Sequence, residues 1–241
     1  LGREGEFKNN MLNGQGKSYR NNGQLQCEGK FKDDKLYGQG KSYYENGQLG
    51  REGEFNDDNL YGQGKSYYDN GQLQCEGEFE NNMLNGQGKL YRDNGQLQCE
   101  GKFKNDMLKR GKYFYNEKIF EGEFKDNMLN GQGIIYNEKG EILKKGIFVD
   151  DNFTGFGISE NKYGICEYGR FENDILIDGW TLIIFDNKFI WSNINKSDRL
   201  PYITLSYKSI FDHFLDEINL KNEEDKRKKI IADSLKELQE E

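Results

Sequence analysis

The chain has 241 residues, of which 34% are hydrophobic and 32% charged. Ordinary domains run at about 45–50% apolar and about 25% charged, so a thick globular core is excluded. The formal net charge of −8 argues against nucleic acid and against an anionic membrane, since both require a clustered basic surface.

From the first residue onward one stretch of sequence recurs, seen best as CEGEFENNMLNGQGKLYRDNGQLQ over residues 75–98. Aligned on their Glu-Gly pair or its stand-in, the units begin at Glu4, Glu28, Glu52, Glu76, Glu100, Glu121, Lys145 and Tyr168. They are 24 residues apart four times, then 21, 24 and 23. A period of about 20–50 residues signals an array of one small unit. Many of the 15 Tyr and 16 Phe keep a fixed phase within it, which excludes disorder.

Each unit reads as two strands and two turns. In QLQCEGKF, Leu25, Cys27, Gly29 and Phe31 fall on one face, and Gln26, Glu28 and Lys30 on the other. That alternation predicts a half-buried strand. KDDKLY is a polar turn, GQGKSYY a second strand, and ENG a turn whose Asn-Gly favours the positive φ of a tight hairpin. Phe recurs at Phe7, Phe31, Phe55, Phe79 and Phe103, and Leu at Leu12, Leu36, Leu60, Leu84 and Leu108. Tyr recurs at Tyr19, Tyr43, Tyr67, Tyr91, Tyr115 and Tyr136. Paired glycines such as Gly38 and Gly40 mark places of close approach, and a neighbouring aromatic ring is the expected visitor.

The expected fold is mainly β: a single-layer antiparallel meander of about eight β-hairpin repeats, period about 24, with a C-terminal α-helical cap. Residues 1–171 form the array. One unit, 100–120, loses three residues, and KRGKY replaces NGQGK there. Lys109, Arg110 and Lys112 make it locally basic. Residues 172–192 read as closing strands carrying Trp180 and Trp191, which a solenoid needs because an open edge recruits other strands. Over 193–241 the period changes. Tyr207, Ile210, Phe211, Phe214, Leu215 and Ile218 predict an amphipathic helix from about Ser206 to Leu220 that caps the array. A second helix, about Glu223 to Leu238, carries more charge and is freer to meet a partner.

No motif points to catalysis, a cofactor or a small-molecule substrate. GQGKS at residues 14–18, 38–42 and 62–66 lacks the earlier Gly of a phosphate loop; Met11, Lys35 and Asn59 stand there. His213 is the single histidine, which excludes multi-histidine metal sites. Asp33-Asp34 and Asp57-Asp58 lack the spacing of a calcium loop and read as turn chemistry. Cys27, Cys75 and Cys99 share one phase, which puts neighbours two strands apart, roughly 9–10 Å. A disulfide needs Cα atoms within about 7 Å, so a reduced, cytoplasmic protein is expected. The chain opens without Met inside a repeat, and a removed signal peptide would change that expectation.

The best binding candidates are aromatic and basic. Tyr43, Tyr44, Tyr67 and Tyr68 double the aromatic in two adjacent units, where Arg20 and Arg92 stand in the flanking ones. Tyr and Arg are enriched at interface hot spots. Lys109 and Arg110 join this set. One Tyr of each pair must point away from the other.

The unit resembles a MORN repeat (membrane occupation and recognition nexus), in its bacterial variant. The aromatic-x-Gly-x-aromatic start is matched by Phe120, Gly122 and Phe124. Most copies put Cys or Arg first, as in Cys75, Gly77 and Phe79. The later Gly-x-Gly is matched by Gly86 and Gly88. The resemblance implies a hairpin array and a non-enzymatic scaffold for another protein. It also implies two alternatives: a peripheral lipid-associated protein, or an antitoxin-like binder of a cognate protein. An enzyme with its site in 172–241 ranks last.

Overall fold

The computed structural model describes residues 2–160, 165–185 and 188–193. The chain divides into two compact units, Leu1–Tyr115 and Asn116–Glu241. The described residues of the first form ten strands. These are β1 (Arg3–Lys8), β2 (Met11–Tyr19), β3 (Leu25–Lys32), β4 (Lys35–Tyr43), β5 (Leu49–Asn56), β6 (Asn59–Tyr67), β7 (Leu73–Glu80), β8 (Met83–Tyr91), β9 (Leu97–Lys104) and β10 (Met107–Tyr115). The second contributes β11 (Lys118–Lys125), β12 (Met128–Tyr136), β13 (Ile142–Val149), β14 (Asn152–Glu160), β15 (Cys166–Glu172), β16 (Ile175–Phe185) and β17 (Lys188–Asn193). Within each unit every strand pairs antiparallel with the next in the chain. The fold is thus an all-β antiparallel meander, with no helix among the described residues. Both expected helices, and with them the α-helical cap of 193–241, lie outside the described residues.

The two turns exchange roles relative to the sequence reading. The tight turn is the acidic pair: Asp33 and Asp34 both take left-handed φ, 50° and 67°, as do Asn9–Asn10, Asp57–Asp58 and Asn81–Asn82. Two consecutive left-handed residues make the hairpin turn that matches strand twist, and Asp and Asn tolerate it best after Gly. The Asn-Gly turn is a wider, three-residue loop. The Tyr44 N–H donates to the Gln48 carbonyl at 2.8 Å, and the Gly47 N–H to the Tyr44 carbonyl at 3.0 Å. Only Gly47, at φ 84°, is left-handed there.

Unit 100–120 loses its three residues in two places. Leu108 and Gly111 stand three apart where Leu84 and Gly88 stand four apart, so one is lost inside the strand. Phe114 then takes the slot of Tyr91. Tyr115, expected in the tyrosine series, falls out of register and is 53% exposed. The other loss shortens the next loop to a tight turn at Asn116–Glu117, φ 48° and 60°.

One glycine from each strand of the first unit lies on a single line: Gly5, Gly16, Gly29, Gly40, Gly53, Gly64, Gly77, Gly88, Gly101 and Gly111, each opposite the next. The backbones come close there. A Cβ on Gly29 would sit 2.5 Å from both the Gly40 Cα and the Gln39 carbonyl oxygen. A Cβ on Gly40 would meet the Leu36 Cδ2 at 2.9 Å. The visitor over this line is therefore leucine, reaching forward along its own strand, while the expected aromatic stands opposite the other glycine of each pair, as Phe55 does opposite Gly38. Among the described residues Phe takes that place where Phe153 replaces Leu, against Gly146 and Gly157.

The core is built from the same repeat. Leu12, Leu36, Leu60 and Leu84 are at most 1% exposed, and Phe31, Phe55, Phe79 and Phe103 at most 4%. Phe31 stands opposite Gly14 on β2 and Leu36 on β4, so strands on both sides cover it. Phe7 has no described strand on its outer side and is 49% exposed. Truncating Phe79 to Ala should therefore cost about 3 kcal/mol, and truncating Phe7 less than half of that, since half its ring already meets water. Changing Asn81 to Asp, its counterpart in sibling turns, should cost less than either. Urea unfolding measures all three; equal midpoint shifts for Phe79→Ala and Phe7→Ala would show that flanking strands do not supply the burial.

Candidate functional site

The turn acids are clasps between repeats. Asp34 donates its backbone N–H to the Leu12 carbonyl at 3.0 Å, and its Oδ1 accepts the Leu12 N–H at 2.7 Å. The same two bonds join Asp58 to Leu36, Asn82 to Leu60, Asp106 to Leu84, Asp151 to Leu129 and Asp174 to Phe153. The Leu12 N–H, with the Arg3 guanidinium, holds the Asp34 carboxyl below the usual range. These carboxylates are spent on the fold, which accounts for the acidic turns without calcium. Among the described residues no group of three or more His, Cys, Asp or Glu is placed to hold a metal ion.

The tyrosine pairs point opposite ways, as their adjacency requires. Tyr19, Tyr43, Tyr67 and Tyr91 donate their hydroxyls to Glu4, Glu28, Glu52 and Glu76 of the paired strand. The next residue reaches forward to the following repeat. The Tyr44 hydroxyl donates to the Tyr67 carbonyl at 2.6 Å, and the Tyr68 hydroxyl to the Tyr91 carbonyl at 2.8 Å. In that slot Arg20 donates Nη2 to the Tyr43 carbonyl at 2.7 Å, and Arg92 donates to the Phe114 carbonyl. Arg20, Tyr43, Tyr44, Tyr67, Tyr68 and Arg92 are half-buried, and each gives a hydrogen bond within the sheet. Lys109 is half-buried and Arg110 exposed on β10, at the strand's irregularity.

The face that carries the first tyrosines is polar. Glu4, Lys17, Glu28, Lys41, Glu52, Lys65, Glu76, Lys89, Glu100 and Lys112 stand opposite one another in turn, one per strand from β1 to β10. Lys17 and Glu28 approach to 3.6 Å, and Lys65 and Glu76 to 3.7 Å. Such exposed pairs add little stability, but they fix a regular charge pattern. In the second unit the line becomes Glu121, Ile134, Lys145, Ile158 and Tyr168, and the last two apolar residues are buried.

Two exposed aromatics escaped the sequence reading. Tyr37 and Tyr61 follow the buried leucines in consecutive repeats and are 44% and 48% exposed. The Lys32 ammonium lies 5.1 Å from the Tyr37 ring centre. Their counterparts Asn13 and Asn85 use that slot for side-chain bonds to Asp33 and Glu80. The comparison of slots across repeats was the signal that would have singled them out. Cys75 and Cys99 lie two strands apart with Leu90 between them. Burial pushes their thiols up to about 12 and about 11, so they stay protonated.

Family models for the MORN repeat match residues 4–25, 75–97 and 120–141, and those for the MORN repeat variant match 36–57 and 60–81. All five segments fall in the repeat array. No curated protein matches the chain.

Two measurements test these connections. Asp58→Ala removes the acceptor for the Leu36 N–H and should cost about 1–3 kcal/mol. Asp58→Asn keeps the acceptor, as Asn82 does, and should cost under about 0.5 kcal/mol. A pH series tests the tyrosine bonds. Burial, then the Glu28 hydrogen bond, pushes Tyr43 up to about 12, and Tyr91 rises to about 12 by burial and Glu76. A raised tyrosine stabilises fully below its ordinary value near 10, and that stability is lost as pH rises toward 12. The Tyr43 hydrogen bond, against burial and aided by Lys17, holds Glu28 below its ordinary value of 4.5. That contribution is present above 4.5 and lost as pH falls through the lowered value. The urea midpoint should be level from about pH 5 to 9 and fall on both sides. Tyr43→Phe with Tyr91→Phe should reduce the alkaline fall, with Tyr67 and Tyr136 still contributing; an unchanged alkaline limb in that variant would remove these two tyrosines as a cause.

Proposed function

We propose that the chain, which carries MORN repeats at several positions, is a non-enzymatic scaffold that holds another protein along the polar face of its first unit. MORN repeats are generally protein- or membrane-interaction repeats. The observation that carries the reading is the alternating line of Glu and Lys across all ten strands. Equivalent groups return every two strands, roughly 9–10 Å, which suits an extended partner met repeatedly and not one reacting centre. Tyr37 and Tyr61 add exposed rings of the kind that anchor interfaces.

Tyr43 and Tyr67 contribute ring surface to this face, their hydroxyls being bonded to Glu28 and Glu52, while Tyr44, Tyr68, Arg20 and Arg92 point the other way. Lys109 and Arg110 give the β10 end a basic character. A cognate protein held in an antitoxin-like manner is one form of such a partner. The net charge of −8 weighs against the lipid alternative. Buried, protonated thiols two strands apart support placing the protein in a reducing compartment, the cytoplasm.

Affinity capture with the intact chain tests the proposal. Tyr37→Asn with Tyr61→Asn installs the sibling residues and should reduce partner recovery at least about tenfold, which corresponds to roughly 1.4 kcal/mol. Equal recovery by the double variant, or binding to anionic liposomes that survives moderate salt, would overturn it.

A further inference from the structure

One cleft in the first unit departs from the repeat. It encloses about 190 Å³ and is lined by Arg20, Cys27, Ser42, Tyr43, Tyr44 and Arg51, among others. Its two arginines come from two different slots. Arg20 occupies the forward-reaching position that Tyr44 and Tyr68 fill in the next repeats. Arg51 stands where Cys27, Cys75 and Cys99 stand in their units. Gly50 replaces the Gln of those units just before it, and a Cβ there would already touch the Ser42 carbonyl oxygen at 3.3 Å and the Tyr44 ring at 3.4 Å.

The two cations are incompletely matched. Arg20 gives Nη2 to the Tyr43 carbonyl, but its Nε is buried without a hydrogen-bond partner among the described residues. Arg51 donates Nε to the Ser42 hydroxyl at 3.3 Å and Nη1 to the Asn82 Oδ1. The comparison with Arg3, which fills the Arg51 slot two repeats earlier, is decisive. Arg3 Nη1 lies 2.6 Å from the Asp34 carboxylate, and Asn82 is the counterpart of Asp34. The same arginine therefore holds a carboxylate in one repeat and a neutral amide in the other. Both arginines act on the Cys27 thiol, whose upward shift comes first from burial. Asp58 is the one carboxylate acting there, and it is already bound to the Leu36 N–H.

We propose that this cleft, on the sheet face opposite the Glu–Lys line, takes a carboxylate from an acidic side chain of a protein partner, a reading that rests on the scaffold function above but places this contact on the second face. Guanidinium N–H groups match a carboxylate in geometry and charge, and the bond gains strength where water is partly excluded. The intact chain, labelled with 15N at arginine, is titrated with sodium acetate at an ionic strength held constant with chloride. The Nε–H resonances of Arg20 and Arg51 should shift and saturate, while exposed Arg110 drifts without saturating. Arg51→Cys installs the sibling residue, and Asn82→Asp supplies the carboxylate from within. Each should weaken acetate binding at least tenfold. No saturation, undiminished saturation in Asn82→Asp, or tighter binding of inorganic phosphate than of acetate would overturn the proposal. The titration needs no partner, so it fails or succeeds separately from the capture experiment.

Discussion

The leucine of each repeat is the point on which the structure depends. A meander has only its own strands to bury side chains against, so each apolar residue must be enclosed by neighbours along the array. Leu36 lies over the glycine line of its own strand, opposite Phe31, and the next repeat's Asp58 takes both its N–H and its C=O. Side-chain burial and backbone satisfaction thus meet at one residue. A buried N–H left without an acceptor costs about as much as a lost core methylene or more, so turn and core cannot vary independently. The tight turn has to be left-handed to aim Asp58 backwards, and a left-handed pair favours Asp and Asn. That requirement explains the acidic turns more fully than surface polarity does.

Much of this was legible because it is periodic. The alternation in QLQCEGKF placed Cys27, Gly29 and Phe31 on one face, and the register puts them there. The repeat family was legible in the Gly and Phe phase and is matched at five segments. What was not legible crosses from one repeat to the next. Nothing local in Asp34 says that its carboxylate bonds Leu12 N–H 22 residues earlier. Likewise Arg20 and Tyr44 differ in chemistry, yet both serve as donors to a carbonyl in the following repeat. The leucine over the glycine line was not legible because alternation tells which face a residue takes, not that Leu36 reaches forward over Gly40. Tyr115 was misread because a one-residue loss inside β10 shifts the register by one, and a one-residue shift moves a side chain to the other face. Exposed Tyr37 and Tyr61 were hidden by a different cause: Tyr37 fell in KDDKLY, read as a polar turn, and stands out only when its neighbours' asparagines are compared.

Repeat proteins concentrate their stability in a few slots and leave the others open, since each repeat interacts mainly with its neighbours. The glycine line, the Leu, the Phe and the clasp acid are the constrained slots here. The slot before Glu-Gly accepts Cys or Arg, the forward donor accepts Tyr or Arg, and the slot after Leu accepts Asn or Tyr. Those changes leave the backbone pairing the same from β2 to β9. Specificity can therefore be written into the open slots without rebuilding the array.

The clasp slot itself shows how a constrained position still carries information. Asp and Asn have the same shape and offer the same Oδ1 to the leucine N–H, so Asp34 and Asn82 hold their repeats together at 2.7 Å and 2.8 Å. They differ by one charge. Where the neighbouring slot holds Cys, that difference changes little, because a protonated thiol does not need a counter-ion. Where it holds Arg, the difference decides whether the cation is matched from within, as for Arg3, or left to a neutral amide, as for Arg51. Fold and electrostatics thus meet at one atom: Oδ1 accepts from both the leucine N–H and the arginine, and whether the atom beside it is oxygen or nitrogen decides whether that shared acceptor carries a charge.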